Sequence, residues 1–99
     1  MKQANSPSDA KKAKFTLGQV LATPGALRSV SPLECGDALA RHVAGDWGDL
    51  CEEDWAENEF SLTRRLRLFS VYHTEDGTKF WVITEADRSV TTVLLPEEY

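Results

Sequence analysis

The sequence predicts an α+β domain, with N-terminal helices packed on a C-terminal three-stranded antiparallel β-meander. Three observations lead there. Two helix-start signals, Thr23-Pro24 and Ser31-Pro32, lie in the first third of the chain, each a capping hydroxyl followed by proline at the first helical position. The hydrophobic pattern changes at Leu66 from helical spacing to runs rich in Leu, Phe, Val and Tyr. Asp76-Gly77 sits between two such runs, the strongest short-range hairpin signal. Helices first and strands last is the α+β pattern, and three strands need an apolar partner on one face.

Taken in order, residues 1–14 read as a flexible basic tail, carrying Lys2, Lys11, Lys12 and Lys14 and nothing large enough to offset ordering entropy. Residues 15–99 form the single small domain. Phe15 to Leu21 alternates apolar and polar residues, as a short strand or an extended lead-in. Thr23 caps a short helix from Pro24 to Val30, weakened by Gly25. Ser31 caps the next, and Glu34 three residues on completes a capping box. Leu33, Leu39 and Val43, with Ala40 and Cys35, mark its apolar face. Arg41 and His42 favour its C-terminal dipole, and Gly45 ends it. Gly36 inside it costs about 1 kcal/mol and points to close packing. Asp49 is the expected cap of a third helix ending near Leu62 or Thr63, with Glu52, Glu53 and Asp54 in its first turn. Trp47, Leu50, Cys51, Trp55 and Leu62 form its core stripe. Leu66 to His73, Lys79 to Thr84 and Ser89 to Leu95 are the strands, the last stopped by Pro96. Trp81 is expected in the core and Trp47 partly exposed.

Charge is the strongest functional signal. Seven of the sixteen acidic residues fall between Asp46 and Glu59, with no Lys or Arg among them. Aromatic and aliphatic residues within and beside the run, Trp47, Leu50, Trp55, Phe60 and Leu62, give it something to bury. It therefore reads as a folded, negative surface suited to a basic partner, formed by Asp46, Trp47, Asp49, Glu52, Glu53, Asp54, Glu57 and Glu59. A net charge of −5 argues against direct nucleic-acid binding, which needs cations at phosphates, and against an anionic membrane. The partner class is then a protein with a basic, nucleic-acid-binding surface. An exposed strand edge adds a homodimer as a second possible partnership.

Chemistry is weakly signalled. Cys35 and Cys51 do not form a Cys-x-x-Cys pair; in a small domain they read as reduced, with a bridge between them left open by the sequence. Neither pairs convincingly with His42 or His73 as a nucleophile and base. No His, Cys, Asp or Glu cluster has ligand spacing and no glycine-rich phosphate loop exists, so neither metal nor cofactor is expected. The turn Thr84 to Ser89 offers Glu85, Asp87 and Arg88 as secondary candidates, with His73, for a small ligand-binding or enzymatic domain. The bland alternative is a hairpin in which Glu85 or Asp87 pairs with Arg88. Arg64-Arg65-Leu66-Arg67 and the lysine tail support a third reading as a nucleic-acid accessory protein. There is no apolar run of signal-peptide type and none of membrane-spanning length, which points to the cytoplasm.

Gly45-Asp46-Trp47-Gly48-Asp49, the Glu57-Asn58-Glu59 triplet, Trp81 through Ser89, Leu95 through Tyr99 and Phe15 through Leu27 together resemble a group of short bacterial proteins carried on plasmids and integrative elements. The resemblance covers nearly all of the chain after the tail. The group has no established activity, so no catalytic residue is implied. The resemblance implies an accessory role for a mobile element. Small acidic proteins of such elements often block host defence proteins, whose basic channels an acidic surface can occupy; this is an analogy of setting. Together these readings give a non-enzymatic binding protein, of anti-restriction or anti-CRISPR type.

Overall fold

The computed structural model describes residues 12–99. Most of the basic tail read over 1–14 lies outside the described residues; Lys14 already donates its backbone N–H to the Val43 carbonyl at 2.8 Å. Helix α1 spans Pro24–Ser29 and α2 spans Pro32–Val43. Thr23 Oγ1 accepts the Ala26 N–H at 3.2 Å, and Ser31 and Glu34 close the expected capping box. Gly25 also has a reason. The Glu98 carboxylate accepts the Gly25 N–H at 2.9 Å and the Thr23 hydroxyl, and a Cβ at position 25 would fall 2.6 Å from it. Glycine thus lets the chain's last turn grip the start of α1. Glu34 does a second job, accepting the Glu75 N–H at 2.7 Å and tying α2 to the hairpin turn.

Helix α3 spans Glu52–Arg64. Its N-cap is Cys51, without a side-chain cap bond, which corrects the expected Asp49 cap. Asp49 is taken up by strand pairing instead. Its N–H donates to the Val71 carbonyl at 2.7 Å, and its carboxylate meets His73 Nδ1 at 2.7 Å. Glu52, Glu53 and Asp54 stand in the first turn of α3, where their charge complements the positive end of the helix.

The strands are β1 (Gln19–Ala22), β2 (Leu68–His73), β3 (Lys79–Thr84) and β4 (Val90–Leu94), and a short 3-10 turn, Pro96–Glu98, follows. They form one four-stranded sheet in the order β1-β4-β3-β2. Here the expected fold class is corrected. The three C-terminal strands do form the antiparallel meander, but the sheet is mixed. β1 lies parallel to β4, Gln19 opposite Val90, so strands stand at both ends of the chain with the helices between them. The alternation of Phe15–Leu21 marks an extended segment, but not where it pairs. A parallel neighbour needs a long crossover, and here it includes all three helices and the hairpin.

Register places Leu68, Ser70, Tyr72, Phe80, Val82, Thr84, Thr91 and Val93 on one face. Helices α1 and α2 cover it through Ala26, Val30 and Ala38, with Tyr72, Phe80, Val82, Val93 and Leu95 closing the core. The opposite face carries Phe69, Trp81, Ile83, Thr92 and Leu94. Two sequence expectations are reversed here. Trp81 is only partly buried, edge-on to Phe69 and Tyr99, while Trp47 is 0% exposed. Trp47 is not on α3 at all. It lies in a strand-like segment, where Gly48 bridges Val71 and Trp47 accepts the Val71 N–H at 3.2 Å. Gly48 has φ +77°, and a Cβ there would overlap the Val71 carbonyl. On α2, Leu33 is 75% exposed rather than core.

Gly36 is likewise not a packing contact: a Cβ there would meet nothing within 4 Å. Its cost to the helix is therefore uncompensated. Gly36→Ala is expected to stabilise the protein by about 0.5–1 kcal/mol, read as a higher urea midpoint at unchanged slope.

Candidate functional site

The expected acidic face divides into two groups. Asp46 accepts Arg41 Nε at 2.8 Å and the Gly48 N–H at 3.1 Å. Asp49 is held by His73, and Glu59 accepts the Trp47 indole N–H at 2.7 Å. Trp47 is thus an internal anchor and offers no surface to a partner, which corrects its place in the binding face. What remains is Glu52, Glu53, Asp54 and Glu57, all exposed and without an ion-pair partner among the described residues. They ride on a helix that is firmly placed. The Asn58 side chain, 5% exposed, donates to the Phe69 carbonyl and accepts the Phe69 N–H at 3.2 Å. It occupies both backbone groups of the β2 edge, as a neighbouring strand would. Phe60 is 47% exposed, with the Arg64 guanidinium 4.8 Å over its ring.

The secondary candidates are structural. Arg88 is 6% exposed at φ +64° and makes no pair with Glu85 or Asp87 carboxylates. Its guanidinium instead donates to the carbonyls of Leu66 (2.6 Å), Ala86 (3.1 Å), Glu85 (3.2 Å) and Ser61 (3.3 Å). It thereby ties the β3–β4 turn to the end of α3. Asp87 accepts the Ser89 hydroxyl at 2.6 Å and the Ser89 N–H at 3.0 Å. Glu85 pairs with Arg67 at 3.3 Å. The Arg64–Arg67 cluster is dispersed in the same way, since Arg67 also donates to the Tyr99 hydroxyl at 2.7 Å.

Sequence reasoning missed an extended buried polar network among the described residues. His42, expected in the last turn of α2 beside Arg41, is 0% exposed. Phe15 and Trp47 stand around it, ring centroids 5.3 and 5.6 Å away. Its Nδ1 lies 2.6 Å from Ser70 Oγ and its Nε2 2.9 Å from Thr84 Oγ1. Thr84 Oγ1 is 2.7 Å from Thr91 Oγ1, which donates to the Leu17 carbonyl at 2.7 Å. The carbonyl fixes every proton in this chain. It can only accept, so Thr91 spends its hydrogen there and must accept from Thr84. Thr84 must then accept from His42 Nε2–H, leaving Nδ1 to accept from Ser70. Every member is satisfied, as burial requires. A serine hydroxyl donating to a neutral imidazole is the polarity of an activated nucleophile. Here Ser70 and His42 are both 0% exposed, so the pair is closed to substrate in this state. Polar residues at the inward positions Ser70, Thr84 and Thr91 were the signal in the sequence.

Two surface hollows accompany these groups. A groove of about 280 Å³ on the open sheet face is lined by Arg67, Phe69, Trp81, Ile83 and Tyr99. A hollow of about 170 Å³ between α2 and the hairpin is lined by residues including Glu34, Asp37, Arg41 and His73. Among the described residues no three His, Cys, Asp or Glu side chains converge on a metal-sized site. Cys35 and Cys51 are free thiols. No helix among the described residues is long and apolar enough to cross a membrane. Comparison of the chain with protein-family models, with curated proteins and with solved structures gave no match.

Burial pulls the His42 pKa down to about 3, and the charge of Arg88 adds to the effect; in an unfolded chain histidine titrates near 6.5. On acidification the unfolded chain takes the proton first. The stability carried by neutral His42 is therefore complete above about pH 6.5 and falls by about 1.4 kcal/mol per pH unit from there towards 3. Glu34, Asp76, Asp87 and Glu98 add acid sensitivity only at lower pH. Hydrogen bonds hold their carboxyls below the ordinary range, led by the Glu75 backbone, Thr74, Ser89 and Thr23 respectively. The urea midpoint should drop between about pH 7 and pH 5. A His42→Gln variant should be less stable near neutrality and nearly flat over that interval.

Proposed function

We propose that the protein is a non-enzymatic accessory protein of a mobile element that binds a basic surface of a host protein through α3. The carrying observation is that Glu52, Glu53, Asp54 and Glu57 stand exposed and unpaired among the described residues, while Asp46, Asp49 and Glu59 are spent internally. Beyond favouring the positive end of their own helix, these carboxylates have no side-chain partner among the described residues, and they ride on a helix clamped at Asn58. They would speed encounter with a basic groove and set its orientation. Trp47 being buried, Phe60 is the aromatic that would anchor the contact. The resemblance to plasmid- and integrative-element-borne proteins supports a host defence nuclease, of restriction or CRISPR type, as the target. Such proteins hold nucleic acid in cationic channels.

A second reading rests on the groove lined by Arg67, Phe69, Trp81, Ile83 and Tyr99, in which a small aromatic ligand with an anionic group would stack on the rings and meet Arg67. A ligand screen by thermal shift, repeated with Trp81→Ala, separates this reading from the first.

The leading reading predicts that tagged protein recovers a defence nuclease or its nucleic-acid-binding subunit from a bacterial lysate at low salt, identified by mass spectrometry. The Glu52→Lys, Glu53→Lys, Glu57→Lys triple variant should fold with an unchanged circular dichroism spectrum and recover none of it. Equal recovery by the triple variant contradicts the assignment of the surface.

A further inference from the structure

The two edges of the sheet are built differently. The β2 edge is closed: Asn58 occupies the N–H and C=O of Phe69, and the Trp47–Asp49 segment occupies those of Val71. Among the described residues nothing occupies the outer edge of β1. Gln19, Val20 and Leu21 are exposed, Val20 and Leu21 at 44% and 45%, while Ala22 is partly buried against the core. The segment Gln19-Val20-Leu21-Ala22 carries no charge, no proline and no bulge, the devices by which edges are normally protected.

We propose that β1 pairs antiparallel with β1 of a second copy, about a two-fold axis at Leu21, to make one continuous sheet. The backbone pattern is self-complementary at that register. Gln19 donates its N–H to Ser89 and Thr23 donates to Val93. Alternation along the strand therefore turns Gln19, Leu21 and Thr23 towards β4, and the N–H and C=O of Val20 and Ala22 outward. With the axis at Leu21, Val20 of each copy faces Ala22 of the other, and each such pair exchanges both of its hydrogen bonds. The two Leu21 residues become a directly opposed, non-hydrogen-bonded pair with Cα atoms about 4.5 Å apart. Leu21 lies on the same face as its neighbour Thr92, so the two exposed leucines bury each other on the open face. On the helical face each exposed Val20 is covered beside Ala22 of the other copy.

Charge favours a second copy here. Helix α3, which carries the unpaired carboxylates, packs beside β2 at the opposite edge. Joining two molecules at β1 puts their acidic surfaces at the two far ends of the sheet, well beyond the Debye length of about 8 Å at physiological salt. Pairing at the other edge would bring those helices together. The assembly is closed, because each β1 is consumed and each β2 edge is already covered.

The test is mass in solution. Across a wide concentration series, sedimentation equilibrium should show the 99-residue wild-type chain approaching twice its 11.0 kDa. Leu21→Lys, with an unchanged circular dichroism spectrum, should remain at the monomer mass throughout. In a background with Cys35→Ser and Cys51→Ser, Leu21→Cys should oxidise to a covalent dimer, while Leu27→Cys on α1 should not. A wild-type chain that stays monomeric throughout overturns the proposal and leaves the edge to a strand from another protein. A dimer that survives Leu21→Lys, or an equal yield of cross-link from Leu27→Cys, also overturns it.

Discussion

One buried imidazole holds the two layers of this protein in register. His42 comes from the last turn of α2 and reaches Ser70 on β2 and Thr84 on β3, and Thr84 passes the chain on to Thr91 on β4 and the Leu17 carbonyl ahead of β1. A helix packed by apolar contacts alone can slide or rotate at small cost. A helix whose imidazole must find one acceptor and one donor inside a dry core cannot, because a slip leaves buried polar groups unmatched at about 1–3 kcal/mol each. The network also joins segments from both ends of the chain. The parallel strand β1 is thus tied to the meander by a side-chain relay as well as by backbone pairing. Phe15 and Trp47 seal the site, and burial keeps the imidazole neutral, the state in which one nitrogen donates and the other accepts.

A second constraint is the closing of the β2 edge, and the acidic surface depends on it. The sharp approach of Gly48 to Val71 brings Trp47 inward and Asp49 onto His73. The chain then enters α3 with its first-turn carboxylates facing solvent, and Asn58 fixes the helix one edge away from the sheet. Trp47 in turn claims Glu59. The same segment that looked like a uniform acidic stretch is therefore half structural. Its inner acids position the helix, and its outer acids are left for contact.

Local signals in the sequence were legible where local physics decides. The capping box at Ser31 and Glu34, the start of α1 at Thr23-Pro24, the Asp76-Gly77 turn and the stop at Pro96 depend on neighbours in the chain, and each is where the residues place it. Features set by distant partners were not legible. Gln19–Ala22 reads as extended, but its parallel pairing depends on Val90–Leu94 at the other end of the molecule. Asp49 has the chemistry of a cap and was claimed by Val71 and His73 instead. Trp47 and Trp81 exchanged places because helical spacing was extended back through Gly48, whose positive φ belongs to a strand-like bridge. Arg88 belongs with these, since a cation surrounded by four carbonyls is written in no short motif. Of the candidate surface, four of the eight residues keep carboxylates without a side-chain partner among the described residues. The division follows from which acids lie within reach of Arg41, His73 and Trp47.

The most direct test of this account is the protonation state of His42 by long-range nitrogen–proton correlation in solution. The network requires a neutral imidazole with its proton on Nε2, and an unchanged spectrum as the pH is lowered from neutrality to about 5, since its pKa lies near 3. A proton on Nδ1, or a histidine that titrates near its ordinary value while the protein stays folded, would contradict the relay from Ser70 to Leu17 and with it the constraint that holds α2 in register on the sheet.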